Sequence, residues 1–427
     1  MQIPELYELF LTHPSIETDT RKLKQGDLFF ALKGPNFNGN EFAEQALKTG
    51  AAYAIVDEYS GSGNAKIILV DNVLNCLQEL AKHHRLQFGR NIPFIAITGS
   101  NGKTTTKELL HEVLSSSYRT YTTAGNLNNH IGIPLTILKV KADAEMAIIE
   151  MGANHLKEIA GYCKYALPTH GIITNCGKAH LEGFGSEAAI QKGKGELYDH
   201  IRANEGTAFV MWDYDYLRTM SAGIPVIITY GTHNAAITGE VKNSSGFLEV
   251  SITAGTAIGD IKTQLVGEYN LPNVLAAVTV GKHFQVPESK IRSALENYAP
   301  SNSRSQLIKK GTNTIILDAY NANPTSMKAA IENFAKMEGI HKILLLGGMM
   351  ELGESSLAEH ESILSVINEH TWEAVALVGK DYPHVHHGWT NFENAEQAKA
   401  WFREQQFEGK QILIKGSRSM QMEKILE

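Results

Sequence analysis

The sequence is poor in cysteine and contains no long apolar run. Its three cysteines, Cys76, Cys163 and Cys176, lie far apart and lack the spacing of a metal site. This low cysteine content is typical of a protein in a reducing compartment. No stretch approaches the roughly 18 apolar residues that a membrane-spanning helix requires, and the N-terminus lacks the basic start and apolar core of a signal peptide. We therefore expect a cytoplasmic protein with no membrane span.

Positive charge is also scarce. The chain has 39 Lys and Arg residues against 46 Asp and Glu residues, which gives a net charge of −7. Nucleic acids are bound by clustered Lys and Arg, and no basic stripe occurs, so we expect no nucleic-acid partner. Apolar residues make up 43% of the 427 positions, which is enough for the packed cores of several domains.

Three segments can be separated along the chain, at 1–88, 89–300 and 301–427. The first carries short apolar runs and ends in a helical pattern that stops at Gly89, a residue type that often ends helices. The other two alternate apolar strands with helices, the pattern of doubly wound sheets. We predict an α/β protein of three domains, with a mostly parallel, doubly wound central sheet and a Rossmann-like C-terminal domain.

The central segment opens with FIAITGSNGKTTTKELL, an apolar strand followed by a glycine loop and a helix. The loop is shorter than the usual G-x-x-x-x-G-K-[ST] motif. It can still direct backbone N–H groups and the helix N-terminus toward one phosphate. The alternative is an ordinary glycine turn. The predicted nucleotide-binding residues are Gly99, Ser100, Asn101, Gly102, Lys103, Thr104 and Thr105, with Lys103 on the terminal phosphates and Thr104 on Mg²⁺.

Several further stretches resemble one known family. They are GNLNNHIGIPLTIL (125–138), EMGANHLKEI (150–159), TNCGKAHLEGFGS (174–186) and DAYNANPTSM (318–327). Together with GSNGKTT they resemble the Mur ligases of peptidoglycan synthesis, and within them the members that add D-alanyl-D-alanine to UDP-N-acetylmuramoyl-tripeptide. The early TDTRKLKQGDLFFALKGPNFNGNEFAEQA and the final KGSRSMQMEKIL are also similar to that family, so the resemblance covers nearly the whole chain.

The resemblance implies a role for each segment and a reaction. Residues 1–88 would bind the UDP-sugar, 89–300 would bind ATP, and 301–427 would form the C-terminal ligase domain. The implied reaction is ATP-dependent amide formation through an acyl phosphate, with ADP and phosphate released. The sequence departs from three patterns of that family. The family pattern D-S-R reads Asp19-Thr20-Arg21 here, and the pattern D-G-H reads Asn38-Gly39-Asn40. In GGMMELG, Gly348 stands where the family has an acidic residue.

The metal-binding and catalytic residues are predicted mainly from the family positions. Glu150 also ends an apolar strand, where a doubly wound sheet presents its ligand-binding groups, and a carboxylate suits Mg²⁺. His180 resembles the family's metal-binding histidine. Lys194 resembles the lysine that becomes carbamylated, and Lys192 is its close rival. The predicted catalytic set is Lys103, His180 and Lys194, and the predicted metal set is Thr104, Glu150, His180 and Lys194. A solvated acid or a surface lysine are the plain alternatives.

The remaining substrate contacts also follow the resemblance. Asn273 would recognise adenine, with Asn270 as rival, although either could instead cap the following helix. Arg304 and Asp318 would reach ATP from the third segment. The predicted UDP-sugar residues are Thr20, Arg21, Asn126, Asn128 and Asn129, of which the asparagines could simply form a polar loop. Lys415 and Arg418, which follow a strand, are expected to hold the dipeptide carboxylate.

Other functions are kept as alternatives. A ligase that adds the third amino acid, or a folylpolyglutamate synthetase-like ligase, shares the ATP chemistry. A P-loop phosphotransferase or nucleotide switch would not explain His180 or Lys194. A catalytically inactive nucleotide-binding module would not need Lys103 and Glu150. We expect small-molecule substrates and a monomer. The third peptide residue, diaminopimelate or lysine, is left open.

Overall fold

The computed structural model describes residues 1–59, 61, 63–301, 303–382 and 388–427. Three larger sheets and one short hairpin organise this part of the chain. Within it, no helix is both long enough and apolar enough to cross a bilayer.

The first sheet is small and parallel, in the order β1-β2-β5-β6. Its strands and the separate β3–β4 hairpin are β1 Ile16–Glu17, β2 Leu28–Phe30, β3 Lys33–Gly34, β4 Phe37–Asn38, β5 Tyr53–Val56 and β6 Ile67–Leu69. The accompanying helices are α1 Ile3–Thr12, α2 Ala43–Thr49 and α3 Val73–Leu86. The apolar runs 27–32, 51–56 and 66–70 thus form strands as their β-rich composition predicts.

Helix α3 joins the first sheet to the central one. The buried Arg85 guanidinium donates to the Ala166 and Leu167 carbonyl oxygens at 3.2 and 3.1 Å and lies 3.8 Å over the Phe94 ring. The neighbouring His84 Nε2 lies 2.7 Å from the Val140 carbonyl oxygen. Because these buried polar groups form hydrogen bonds with residues of the second segment, α3 is packed against the central domain.

The central sheet has the order β15-β14-β13-β12-β11-β10-β7-β9-β8. Its strands are β7 Phe94–Thr98, β8 Thr120–Thr122, β9 Met146–Glu150, β10 His170–Ile173, β11 Thr207–Met211, β12 Val226–Gly231, β13 Ile237–Asn243, β14 Phe247–Ala254 and β15 Asp260–Val266. Pairing is parallel from β8 to β13 and antiparallel only at β14 and β15. The mostly parallel central sheet is confirmed, and the alternating stretch 247–267 forms its antiparallel edge.

Helices cover both faces of this sheet. They are α4 Lys103–Ser115, α5 Gly132–Leu138, α6 Glu158–Ala166, α7 Leu181–Phe184, α8 Glu187–Ala203, α9 Asp215–Ser221, α10 Leu271–His283 and α11 Glu288–Asn297. Strand β7 is buried along its whole length, as expected of a parallel strand covered on both faces. The loop that follows β7 therefore starts from a rigid support.

The third sheet has the order β16-β17-β21-β18-β19-β20 and is parallel except for the edge strand β16. Its strands are β16 Gln306–Lys310, β17 Asn313–Asp318, β18 Lys342–Gly347, β19 Ala374–Val378, β20 Thr390–Phe392 and β21 Gln411–Lys415. Its helices are α12 Pro324–Lys336, α13 Ser356–Asn368 and α14 Ala395–Glu404. The Rossmann-like character is confirmed. Strand β16 was not predicted, because its half-exposed residues carry no apolar run.

Candidate active site

A cavity of about 1110 Å³ lies beyond the carboxyl ends of β7, β9 and β10 and is lined on its other side by residues of the third segment. Ligands of doubly wound sheets bind at this edge. The predicted residues that line it are Ser100, Asn101, Gly102, Lys103, Thr104, Thr105, Asn126, Asn128, Asn129, Glu150, His180, Asn273, Arg304, Asp318 and Lys415. One space therefore brings together most of the predicted site.

The glycine loop is a specific backbone structure and not a generic turn. Gly99 has φ 143° and Gly102 has φ 79° at the start of α4, a region that L residues with side chains rarely adopt. A Cβ at Gly99 would lie 2.0 Å from Thr174 Oγ1, and one at Gly102 would lie 2.6 Å from Asn273 Oδ1. Both glycines are needed because neighbouring side chains approach the loop so closely.

Lys103 folds back over this loop. Its Nζ donates to the Gly99 and Ser100 carbonyl oxygens at 2.7 and 3.1 Å. Burial lowers the pKa of Lys103, and the charge of Glu150 acts in the opposite direction. The ammonium thus lies at the N-terminus of α4. An anion that bound there would be stabilised both by this positive charge and by the helix dipole.

Glu150 lies opposite the loop at the end of β9 and is buried. Its Oε1 accepts hydrogen bonds from Thr104 Oγ1 at 3.1 Å and Asn128 Nδ2 at 2.8 Å. Among the described residues its Oε2 has no hydrogen-bond partner, although the ammonium of Lys107 lies 3.9 Å away. A buried, free carboxylate oxygen beside a threonine hydroxyl fits a Mg²⁺ ion.

The donor set also limits what a cation could bind. In the ranges that the structure describes, no three His, Cys, Asp or Glu side chains cluster as a metal site. A cation here would depend on Thr104 and Glu150 together with oxygen atoms from a ligand. This composition is typical of Mg²⁺, which is commonly held by one or two carboxylates and substrate phosphates.

His180 is paired with a residue that the sequence analysis missed. Its Nδ1 contacts the carboxylate of Glu351, which comes from the third segment and also lines the cavity. The His180 imidazole beside it lowers the pKa of Glu351, while burial opposes that shift. Both residues have positive φ, 55° for His180 and 62° for Glu351. The predicted metal role of His180 would require this pair to separate or to share the ion.

Lys194 is fully buried on α8, whereas Lys192 on the same helix is exposed. The Lys194 Nζ donates to the Ala153 carbonyl oxygen at 2.9 Å and lies 5.2 Å from the centre of the Phe184 ring. Burial, followed by the positive charge of Lys103, lowers the pKa of Lys194 to about 7. The Lys194 side chain lies behind the wall of the cavity, where Ala153 is part of the lining.

The two asparagines proposed for adenine recognition are joined to each other and to helix α4, which follows the glycine loop. Asn273 Oδ1 accepts from Thr106 Oγ1 at 3.1 Å, and its Nδ2 donates to Asn270 Oδ1 at 2.9 Å. Asn270 Nδ2 in turn donates to the Val266 carbonyl oxygen at 2.9 Å. Neither side chain caps α10, so the capping alternative is wrong, and both line the cavity.

The third segment contributes an aromatic platform with two cations. The Arg304 guanidinium lies 3.4 Å above the Tyr320 ring and that of Arg418 lies 5.6 Å from it. Tyr320 itself was not predicted, although it stands in the DAYNANPTSM motif. Asp318, which is partly exposed, forms an ion pair with the buried Lys415. A ligand carboxylate at Lys415 would therefore compete with Asp318.

The residues predicted for the UDP-sugar divide into two groups. Asn126, Asn128 and Asn129 line the cavity, while Thr20 and Arg21 do not. Arg21 is exposed and bonded to Asp19. The first segment thus presents its predicted residues outside this cavity, and their role remains a prediction.

The departure at Gly348 has a structural counterpart. A Cβ built on Gly348 would lie 2.9 Å from the Asp381 carboxylate. The space beside the glycine is therefore occupied by an acid from another part of the third segment.

Three domain families match the chain in order. The Mur ligase family, catalytic domain, matches residues 14–85, the Mur ligase middle domain matches 97–281, and the Mur ligase, glutamate ligase domain matches 303–418. The UDP-N-acetylmuramoyl-tripeptide–D-alanyl-D-alanine ligase of Bacillus subtilis (strain 168) is 34% identical over 99% of this chain and 94% of its own length. The chain belongs to the Mur ligase family. The resemblance inferred from its motifs is confirmed.

Solved structures of Mur ligases have the same architecture. MurF from Acinetobacter baumannii has a TM-score of 0.86 at 30% identity, with 96% of this chain and 92% of that chain covered. The MurF ligase from Thermotoga maritima in complex with ADP has a TM-score of 0.86 at 26% identity, with 97% of both chains covered. Membership of the Mur ligases argues against the phosphotransferase and nucleotide-switch alternatives.

Proposed function

We propose that this Mur ligase uses ATP to join D-alanyl-D-alanine to UDP-N-acetylmuramoyl-tripeptide in the synthesis of peptidoglycan precursors. The observation that carries the proposal is the full-length similarity, 34% over 99% of the chain, to a relative that is named for this reaction. The cavity supports it, because a cationic phosphate loop and a free carboxylate oxygen face the same space. ATP-dependent ligation needs both groups there.

The reaction joins a carboxylate to an amine in two steps. A carboxylate oxygen of the tripeptide attacks the γ-phosphorus of ATP, the bond to the ADP oxygen breaks, and an acyl phosphate forms. The dipeptide amine then attacks the acyl carbon, phosphate leaves, and the amine loses a proton. Lys103 and the N–H groups of the loop would bind the transferred phosphate, whose negative charge they stabilise.

Thr104 and Glu150 would hold Mg²⁺, which neutralises phosphate charge when bound. His180 would join them if Glu351 released it. Asn273 and Asn270 lie against the loop and would contact the nucleotide base, while Arg304 would reach its phosphates from the Tyr320 platform. Residues of the third segment line the cavity opposite the glycine loop, where they would help to keep water away from the acyl phosphate.

The UDP-sugar and the dipeptide would be held by further residues, some of which lie outside the cavity. Thr20 and Arg21 would hold the uridine nucleotide, and Asn126 and Asn129 the sugar. Lys415 and Arg418 would hold the distant carboxylate of the dipeptide.

The amine substrate is expected to be a dipeptide. With ATP, Mg²⁺ and UDP-N-acetylmuramoyl-tripeptide, D-alanyl-D-alanine should support phosphate release at least about 100-fold better than D-alanine, since D-alanine loses the carboxylate contact and the orientation of its amine. The assay measures phosphate release and product mass, with both lysine- and diaminopimelate-containing tripeptides.

Two results would contradict the proposal at different levels. Product from UDP-muramoyl-dipeptide and a diamino acid, with none from D-alanyl-D-alanine, would assign the chain to another Mur reaction. Phosphate release that does not depend on any amine would exclude ligation itself.

We further propose that Lys194 is carbamylated in the active enzyme. The uncharged Nζ would attack the carbon of CO₂, an N–C bond would form, and one proton would pass to solvent. Burial supports this step because it lowers the pKa of Lys194 to about 7, so the uncharged amine is well populated at neutral pH. The product would be an anion behind the cavity wall, which would attract a cation, whereas a lysine ammonium would repel one.

Replacing Lys194 with alanine should reduce turnover by about 10- to 100-fold, the usual effect of losing a group that supports a metal site. Formate or acetate should restore part of the activity by supplying an anion. Lys192→Ala is the matched control, because Lys192 is exposed on the same helix, and it should behave like the unmodified protein.

The modification itself can be observed with ¹³CO₂ by NMR. Its formation should be faster at pH 8 than at pH 6, since the uncharged amine increases as the pH rises through about 7. Full activity in the alanine variant, or an unmodified Lys194 in fully active protein, would show that no carbamate is required.

A further inference from the structure

We propose that Asn323 is a positioning residue, which turns the side-chain amide of Asn101 so that its NH₂ group donates to a phosphate of the nucleotide. This rests on the proposed function of the glycine loop as an ATP site. Asn323 lies in the third segment and Asn101 in the loop, yet the Nδ2 of Asn323 is 2.8 Å from the Oδ1 of Asn101. The bond joins residues that are 222 positions apart in the chain.

The orientation of the Asn323 amide is fixed by the helix that it caps. Its Oδ1 accepts a hydrogen bond from the Ser326 N–H at 2.9 Å, and Ser326 Oγ accepts one from the Asn323 N–H at 3.1 Å. This reciprocal pair is the N-terminal capping box of α12. Because the oxygen of Asn323 is used by the cap, its NH₂ group must face the glycine loop.

Asn101 must then present its oxygen to Asn323. Its backbone is held independently, since its N–H donates to Asn175 Oδ1 at 3.0 Å and its carbonyl oxygen accepts from Thr174 Oγ1 at 2.6 Å. Its Nδ2 is buried and has no hydrogen-bond partner among the described residues, while the residue lines the cavity. A buried donor without a partner costs free energy unless a ligand satisfies it.

The loop around Asn101 shows which ligand would satisfy that donor. The same turn carries Lys103 at the N-terminus of α4, so an anion is the ligand that this position favours. An amide that rotated by half a turn would present its oxygen to the anion and repel it. Asn323 therefore contributes to phosphate binding without touching the phosphate, by selecting one orientation of Asn101.

Asn323→Asp tests this role while keeping the helix cap. The aspartate retains the oxygen that Ser326 N–H needs, but it replaces the NH₂ group that faces Asn101 with an oxygen. Asn101 should then turn its NH₂ toward Asp and its oxygen toward the phosphate. We expect kcat/KM for ATP to fall by about 10- to 100-fold, the range for a lost hydrogen bond to a charged group. Most of the loss should appear in the KM for ATP, with the KM for the dipeptide little changed.

The matched control is Asn394→Asp. Asn394 caps α14 in the same way, with Oδ1 accepting from Gln397 N–H at 3.0 Å, and it does not line the cavity. This variant should stay within about twofold of the unmodified protein, because aspartate and asparagine are similar caps. Asn323→Ser provides a second test variant, since serine also caps a helix but is too short to reach Asn101.

A double-mutant cycle separates positioning from a merely structural role. If Asn323 acts through Asn101, then Asn323→Ser should have almost no further effect in an Asn101→Ala background. Independent, additive losses would overturn the proposal, as would normal ATP kinetics in both Asn323 variants.

Affinity for a non-hydrolysable ATP analogue, measured by calorimetry, makes the test independent of ligation. Weaker analogue binding in Asn323→Asp would support the positioning role even if no amine were ligated. Unchanged binding would overturn that role even if the unmodified protein proved to be an active ligase.

Discussion

Replacing Lys103 with alanine is expected to reduce amine-dependent phosphate release by about 100- to 1000-fold, which corresponds to about 3–4 kcal/mol of lost electrostatic stabilisation. Lys103 Nζ donates hydrogen bonds to two loop carbonyl oxygens at 2.7 and 3.1 Å, next to the place where phosphate would bind. Alanine removes the only side-chain cation that the loop 99–105 contains, while the backbone N–H groups remain. The measurement is steady-state phosphate release at saturating substrates.

The fold should survive this substitution. Burial lowers the pKa of Lys103, so the folded protein holds the ammonium at a cost, and removing it should leave the melting temperature unchanged or slightly raised. Lys139→Ala, at an exposed position of the same segment, serves as the control and should keep full activity. Near-normal phosphate release by folded Lys103→Ala protein would refute the phosphate-loop assignment.

The glycine loop could be predicted because its signal is local. Strand, loop and helix follow one another within residues 94–115, and the two glycines with positive φ lie within four residues of the lysine that they position. Apolar runs predicted most parallel strands for the same reason, since burial on both faces requires continuous apolar sequence. An edge strand such as β16 is not buried on both faces and need not be continuously apolar, so it was not predicted.

The contacts between the segments could not be predicted from one sequence. Glu351 contacts His180, and Asn323 contacts Asn101, only because the third segment lies over the central sheet. No spacing rule relates residues so far apart. Both missed residues do stand in motifs that resemble the family, GGMMELG and DAYNANPTSM, so an unexplained polar residue within such a motif was the available signal.

Burial changed the interpretation of several residues that the sequence analysis had assigned to the site. The sequence could not distinguish Lys192 from Lys194 by type, whereas the structure buries only Lys194 and lowers its pKa. In the same way, Asp318 and Lys415 had been assigned to different substrates and form a pair with each other. Charge states and pairings depend on solvent exposure, which residue type alone does not determine.

Glu150→Gln is expected to reduce turnover by about 100- to 1000-fold by weakening the cation site, a loss comparable with that of one strong electrostatic contact in the transition state. Glutamine can keep the Oε1 bonds to Thr104 and Asn128. It would place a neutral NH₂ group where the free Oε2 now lies, 3.9 Å from the Lys107 ammonium. Activity should therefore require a higher Mg²⁺ concentration, and Glu396→Gln at an exposed helix position should not change it.

The dependence on metal distinguishes this effect from that of Lys103. Glu150 would act on ATP through the cation, so Glu150→Gln should bind ATP normally in EDTA and more weakly than the unmodified protein when Mg²⁺ is present. Lys103 would contact the phosphates directly, so Lys103→Ala should bind ATP more weakly under both conditions. An unchanged Mg²⁺ requirement in a folded Glu150→Gln variant would show that the carboxylate does not hold the cation, and its buried Oε2 would then need another ligand.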